Sequence, residues 1–561
     1  MSTTSPLESA TRVADAAWAE LRRSIFVQQQ LGEPLTQMPD VSFAEAQRRS
    51  KVGQSLLDRL DSLDESTLPH DVRLTLRVVR FRAATWAKEA DFYWHVIDPL
   101  RKGFFGMFLP SAYCGAFLLT YVHRQLAAAS LANESDRRRY LDLVRDYGRL
   151  IDAFAARTVG QAERGIRMPK LQILAARRLV ESLGQRALEN LSVAPRKFRC
   201  LEPDVALLVS EVVQPAFGRL LETLAEPYYS RAPEGVGMSQ YPGGREIYQQ
   251  LVHLHTTLDI TSEALHAKGL ERMAEAEAEM QAICAREDRD GARAPFLSRL
   301  QNDPRWRAPT ADGVHAVFQR YTDRIQAHLP KLFEQLPRSP CQFAALPEAL
   351  QSSMTFGYYE QPRSAGAFGT YFFNVANMTQ RPLIRVGALA YHELMPGHHV
   401  HFASQLENES LHPIRSHSFV NAFNEGWAEY AITLAEELGM FEQPEEQYGR
   451  LTHDVAGISR LVVDTGMNAL GWSLEQARDY LRQHTQLTAE EIVSETLRYS
   501  CDLPAQALAY KIGDRIFLEL RERMRAALGD EFDLRKFHSC VLGPGALPLS
   551  DLQWHIESEI T

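Results

Sequence analysis

Residues 391–401 read Tyr391-His392-Glu393-Leu394-Met395-Pro396-Gly397-His398-His399-Val400-His401. Eighteen histidines spread over 561 residues would put fewer than one in an eleven-residue window, and four stand here. Histidine is the commonest ligand of a zinc-like ion, and a catalytic zinc takes three protein ligands and keeps one position open. The usual helical arrangement, H-E-x-x-H, sets two histidines one turn apart with the glutamate beside the bound water. Here the residue four after His392 is Pro396, which lacks an N–H and crowds the preceding turn. On a straight helix His398, at i+6, lies about 120° off the His392 face; His399, at i+7, lies about 20° off it but about 10.5 Å along the axis. Either the helix breaks at Pro396-Gly397 and His398 turns in, or His399 reaches in from two turns away. The spacing leaves both open.

A third ligand has to come from outside this stretch. The next dense patch is Asn424-Glu425-Gly426-Trp427-Ala428-Glu429-Tyr430-Ala431. Glu425 and Glu429 are one turn apart and share a helix face. One can bind a metal while the other orients a ligand histidine. Trp427, Ala428 and Ala431 make the surroundings apolar, where a carboxylate needs a partner.

Upstream, residues 342–347 (QFAALP), 354–360 (MTFGYYE) and 366–375 (GAFGTYFFNV) are short, aromatic and bounded by Gly and Pro, and read as strands and turns. The last of them is expected to serve as an edge strand able to pair with an extended peptide. Before and after this region the periodicity is helical. Leu141, Val144, Tyr147, Leu150, Ile151 and Phe154 form one apolar stripe, and Leu171, Leu174, Ala175, Leu179 and Leu183 another. Capping boxes stand at Ser473 with Gln476 and at Thr488 with Glu491. A turn-rich passage at 231–244 precedes a helix expected from about Arg245. The reading is a mainly α protein, with a helical N-terminal region over 1–240 and the region that carries chemistry over 241–561.

Composition narrows the class. Apolar residues are 45% and charged residues 24%, which excludes collagen-like and disordered chains. A net charge of −10 and a pI near 6.0 fit neither nucleic acid nor an anionic membrane surface as a partner. Cys114, Cys200, Cys284, Cys341, Cys501 and Cys540 stand alone with no C-x-x-C, which argues against a disulfide framework and a thiolate zinc site. The first thirty residues lack the basic-then-apolar pattern of a signal peptide. The most apolar stretch, 103–122, is broken by Pro110, Ser111 and three glycines and reads as a buried hairpin or helix. A cytoplasmic protein is expected.

In His392-Glu393 with Pro396-Gly397-His398-His399, in Glu425-Gly426-Trp427-Ala428, in Arg460 through Asp464-Thr465-Gly466, and in Pro504-Ala505-Gln506-Ala507 with Tyr510-Lys511 and Gly513, the chain resembles the bacterial domain-of-unknown-function 885 family over roughly 240–530. Members look like distant relatives of the helical zinc peptidases, which include angiotensin-converting enzyme, oligopeptidases and thermostable carboxypeptidases. The resemblance implies two helical lobes around a deep cleft, with one small antiparallel sheet near the metal site. Aligning Gly397-His398 with the Gly-His of the peptidase helix implies His392 and His398 as ligands, His399 being the alternate, with Glu425 as the third and Glu393 as general base. It implies one zinc ion per chain. Where the family's Asp-Thr-Gly is usually followed by an apolar residue and a histidine, this chain has Met467-Asn468.

Tyr499 and Tyr510 are candidate donors to the tetrahedral oxyanion, and Arg498 and Lys511 candidate partners of a substrate carboxylate. Glu429 and His399 are expected behind the ligands. The function expected is zinc-dependent hydrolysis of amide bonds in small peptides or peptide-like metabolites. The alternatives are a metal-dependent tailoring enzyme acting on an amino-acid-derived natural product, with Asn468 marking an altered site, and a catalytically inactive binding relative.

Overall fold

The computed structural model describes residues 5–192, 201–287, 293–346, 357–379 and 382–560; Cys200, Pro347 and residues 354–356 of the strand-like segment lie outside them. The protein is mainly α-helical with one three-stranded sheet. The chain divides into two compact units: Met1–Leu251 with Met467–Leu474 and Leu497–Gln506, and Val252–Gly466 with Glu475–Thr496 and Ala507–Thr561.

The first unit is helical. Its 30-residue helix Glu134–Glu163 starts at Asn133, whose side chain accepts from the Asp136 N–H, and buries Val144, Tyr147, Leu150, Ile151 and Phe154. The next long helix, Lys170–Gln185, corrects the expected stripe by one position. It buries Ile173, Ala176, Val180 and Gly184, and leaves Leu171 and Leu174 exposed at 47% and 51%. Phe217 lies against Gly184, where a Cβ would be 3.1 Å from the Phe217 Cβ. Of the apolar stretch 103–122, the part from Gly115 joins helix Gly115–Ala127, which buries Leu118, Leu119 and Val122. No helix among the described residues is long and apolar enough to cross a membrane. Near the chain start, Arg48 pairs with Glu20 and Glu45, and Arg101 with Glu45, tying helices Pro6–Leu21 and Phe43–Asp61 to the loop at Arg101.

The second unit holds the sheet, formed by β1 (Cys341–Ala345), β2 (Gly357–Glu360) and β3 (Gly369–Phe373) in the order β1-β3-β2. It is mixed, not antiparallel: β1 runs parallel to β3, and β2 antiparallel to it. The predicted edge strand is therefore the central one, and both sides of its backbone are taken by neighbours. Alternation sends Phe343, Tyr371 and Phe373 to one face, where their rings lie 5.4–5.7 Å from Phe318 of helix Ala311–Gln326.

Five helices carry or flank the histidine-rich stretch: Val386–Glu393, His398–Glu407, Asn421–Glu437, Ala509–Leu528 and Pro444–Asn468, the last of which belongs to this unit up to Gly466. Asn421–Glu437 is buried without a break from Asn421 to Ile432, so Glu425 and Glu429 stand in a core helix. It crosses Ala509–Leu528 at Gly426 and Gly513; a Cβ on Gly426 would lie 2.3 Å from the Gly513 Cα. The Thr488–Glu491 capping box forms as read: the Thr488 N–H donates to Glu491 at 2.7 Å and the Glu491 N–H to Thr488 Oγ1 at 3.2 Å.

Candidate metal centre

The chain resolves the His398–His399 ambiguity by breaking the helix. Val386–Glu393 ends at Leu394, whose N–H still bonds to the Ala390 carbonyl, and a new helix starts at His398. Between them Gly397 comes so close to the preceding turn that a Cβ would lie 1.9 Å from the His392 carbonyl oxygen. No other residue fits there. Trp427, fully buried on the neighbouring core helix, donates its indole N–H to the Pro396 carbonyl at 3.0 Å and pins the break.

The break turns His398 toward His392; their rings are 4.8 Å apart at 83°. Glu425 Oε2 lies 3.8 Å from His392 Nε2 and 3.5 Å from His398 Nε2. All three side chains are buried, and their donor atoms lie within 4.8 Å of one another. Tetrahedral zinc with ligands at about 2.0–2.2 Å spaces its donors about 3.3–3.6 Å apart. The 3.5 Å pair falls in that range and the 3.8 Å pair lies just outside it, so two imidazole nitrogens and a carboxylate oxygen here could hold a zinc-like ion. The residues present fit the ion.

His399 points elsewhere. Its Nε2 donates to the Ser339 carbonyl at 2.8 Å and its Nδ1 accepts from the Tyr359 hydroxyl at 2.9 Å. Both ring nitrogens are used in fastening its helix to the sheet. Tyr359 also stacks on His398, at 6.2 Å and 22°.

Behind His392 stands Glu429. Its Oε1 is 3.1 Å from His392 Nδ1 and 3.0 Å from His453 Nε2, and its Oε2 is 2.5 Å from Lys511 Nζ. A carboxylate on Nδ1 fixes the tautomer that leaves Nε2 free for a metal. Burial works against the Glu429 charge, yet Lys511, His453 and His392 outweigh it and hold the carboxyl well below its usual range. Burial likewise lowers the His392 proton affinity, but Glu429, Glu393 and Glu425 raise it above the usual histidine value. Glu393 is shifted up, chiefly by burial, with His392 and His398 opposing. Burial takes His453 down to about 4, so at neutral pH it is a neutral imidazole donating to Glu429.

Tyr510 lies nearly parallel to His392, ring centroids 6.2 Å apart, under the Arg460 guanidinium 4.6 Å from its ring. Arg460 is in turn 3.6 Å from Glu495. Tyr499 and Arg498 belong to the first unit. There Arg498 donates to Gln506 at 2.6 Å, and the Tyr499 carbonyl accepts from the Asn468 side-chain amide at 3.0 Å. Asn468 also accepts from the Met238 N–H at 3.0 Å, so one buried amide ties two backbone groups of that unit.

A model of the family described as "Bacterial protein of unknown function (DUF885)" matches residues 27–556. The chain belongs to this family. Its fold is shared with "the putative lipoprotein from Colwellia psychrerythraea", with TM-score 0.85, 23% identity and 100% of each chain covered. It is shared too with "a putative lipoprotein of unknown function from Shewanella oneidensis", with TM-score 0.71, 16% identity and coverage of 98% of this chain and 99% of that one. No curated protein matches the chain.

Three residues of this DUF885 centre escape sequence reasoning: His453, Asp454 and Tyr359. His453 and Asp454 stand in a helix that also carries Glu445, Glu446, Arg450, Arg460 and Asp464, so no local signal singles them out. Tyr359 carries none, since its role depends on how β2 meets the helix of His399.

Proposed function

We propose that this DUF885 protein is a zinc-dependent hydrolase of amide bonds in small peptides or peptide-like metabolites, distantly related to the helical zinc peptidases. The observation that carries the reading is the convergence of His392 Nε2, His398 Nε2 and Glu425 Oε2, with Glu429 against the other nitrogen of His392. One zinc ion held by these three residues would bring the pKa of a water toward 7 and polarise the scissile carbonyl.

Glu393 follows His392 in sequence and feels the charge of both ligand histidines. It accepts a proton from the attacking water and delivers it to the leaving amine. Its upward shift brings it closer to neutrality, where a group that both takes and gives a proton works best. Tyr510, held flat beside His392, is the side-chain donor for the developing oxyanion.

The test is zinc content of the purified protein together with turnover of a dipeptide and oligopeptide panel, before and after chelation and zinc return. Reversible turnover supports peptide hydrolysis. A metal-loaded protein that leaves every peptide intact favours the tailoring-enzyme reading, which draws on Asn468 standing where the family pattern has histidine. For location, the free thiols of Cys114, Cys284, Cys341, Cys501 and Cys540 favour the cytoplasm. The relatives described as lipoproteins favour an exported or membrane-anchored setting. Cell fractionation decides between the two.

A further inference from the structure

Lys511, from sequence a candidate partner of a substrate carboxylate, is enclosed by carboxylates of the chain itself. Its side chain is only 11% exposed. Nζ lies 2.5 Å from Glu429 Oε2, in close contact with Asp454 Oδ1, and 3.8 Å from Asp514 Oδ2. An ammonium has three N–H donors, and three carboxylates of the chain itself surround this one. The stem packs against Gly457, where a Cβ would lie 2.9 Å from Lys511 Cε. The helix that carries Lys511 comes close enough because Gly513, two residues on, meets Gly426.

Glu429 is thus held from two sides. One oxygen faces His392 and His453, and the other faces Lys511. A carboxylate buried to this degree keeps its place only with a compensating charge and hydrogen-bond partners. Resting on the metal-centre reading above, we propose that Lys511 is a positioning residue of that centre. Its ammonium fixes Glu429 against His392 Nδ1, so that His392 presents Nε2 to the ion, and it takes no part in binding substrate.

The test is zinc affinity of the chelator-stripped full chain, measured by competition with a chromophoric chelator, with the cobalt(II) absorption spectrum as a report on ligand geometry. Partners behind a ligand histidine are worth about 10–100-fold in metal affinity. Lys511→Met is expected to lose affinity in that range and to change the cobalt spectrum. Lys511→Arg, which keeps the charge, is expected to recover most of the loss. Glu429→Gln is expected to reproduce the loss, and the double variant to lose little more than Glu429→Gln alone, because both changes remove one interaction. If Lys511→Met does not fold, the comparison of Lys511→Arg with Glu429→Gln still decides: an arginine variant as weak as the glutamine variant overturns the proposal. So does a Lys511→Met chain that binds zinc like the wild type while its KM rises only for peptides with a free C-terminal carboxylate. A wild-type chain that binds no zinc sinks the metal-centre reading itself, an outcome separate from any difference among variants.

Discussion

Gly426 and Gly513 touch: a Cβ built on either would lie within 2.5 Å of the other's Cα. This contact sets how closely the helix of Glu425 and Glu429 approaches the helix of Tyr510 and Lys511. Gly426→Ala is therefore expected to force the helices apart, at a cost of about 1–3 kcal/mol from overpacking. Because Glu425 and Glu429 flank the crossing, zinc affinity should fall along with stability. Chemical denaturation and zinc titration of the same variant check this. A Gly426→Ala protein as stable as the wild type would mean the crossing relaxes freely.

His398 faces Glu425 in the candidate metal centre, and His399 faces Tyr359 of the sheet. His398→Ala is expected to empty the centre while the chain stays folded. His399→Ala should keep zinc but lose about 1–3 kcal/mol of stability, since it strands the Ser339 carbonyl and the Tyr359 hydroxyl. Zinc per chain and a denaturation curve for each variant suffice. Reversed zinc contents would mean that His399, not His398, faces the ion.

Glu393→Gln preserves shape but cannot accept a proton. Zinc content is expected to be unchanged and turnover to fall by at least about 100-fold. Near-normal rates would remove Glu393 from the chemistry.

The mainly α class was legible in the sequence, and so were the residues that meet in the candidate metal centre, but not what surrounds them. Helix geometry alone narrowed the candidate second ligand to two histidines, and Pro396-Gly397 marked where a break could turn His398 in, because a missing N–H and a missing Cβ act locally. What surrounds Glu429 was not legible, since His453 and Lys511 reach it from helices 24 and 82 positions further along the chain. Lys511 looked like a substrate ligand for the same reason: burial by Asp454 and Asp514 is a tertiary fact. The stripe error at Leu171 and Leu174 has a different cause. Both registers of that helix satisfy the 3.6-residue period, and the close contact of Phe217 with Gly184, which goes with the observed register, is a tertiary fact. The central place of β3 was hidden because strand order is set by pairing, which the local pattern of Gly369–Phe373 does not contain.

In the first unit, Glu45 supplies a pH signature. Burial raises its pKa, but Arg48 and Arg101 prevail and bring it down to about 2. A carboxyl whose folded value is depressed stabilises the fold fully above its unfolded value, about 4.3, and loses that contribution as pH falls toward the folded one. Glu45→Gln is expected to be about 1–3 kcal/mol less stable than wild type at pH 7. The gap should close as pH is lowered from about 5 toward 2, because the wild-type side chain becomes neutral too. Urea melts at stepped pH measure it; a gap that stays constant would show that Glu45 contributes through packing and not charge.

The proposed zinc chemistry requires that His392, His398 and Glu425 together hold one ion. Zinc per chain, measured by elemental analysis on wild type and on Glu425→Ala after identical zinc loading and dialysis, tests it most directly. About one zinc per wild-type chain and nearly none in Glu425→Ala is the result predicted from a three-ligand site. A wild-type chain that retains no zinc, or a Glu425→Ala chain that retains its full share, would contradict it.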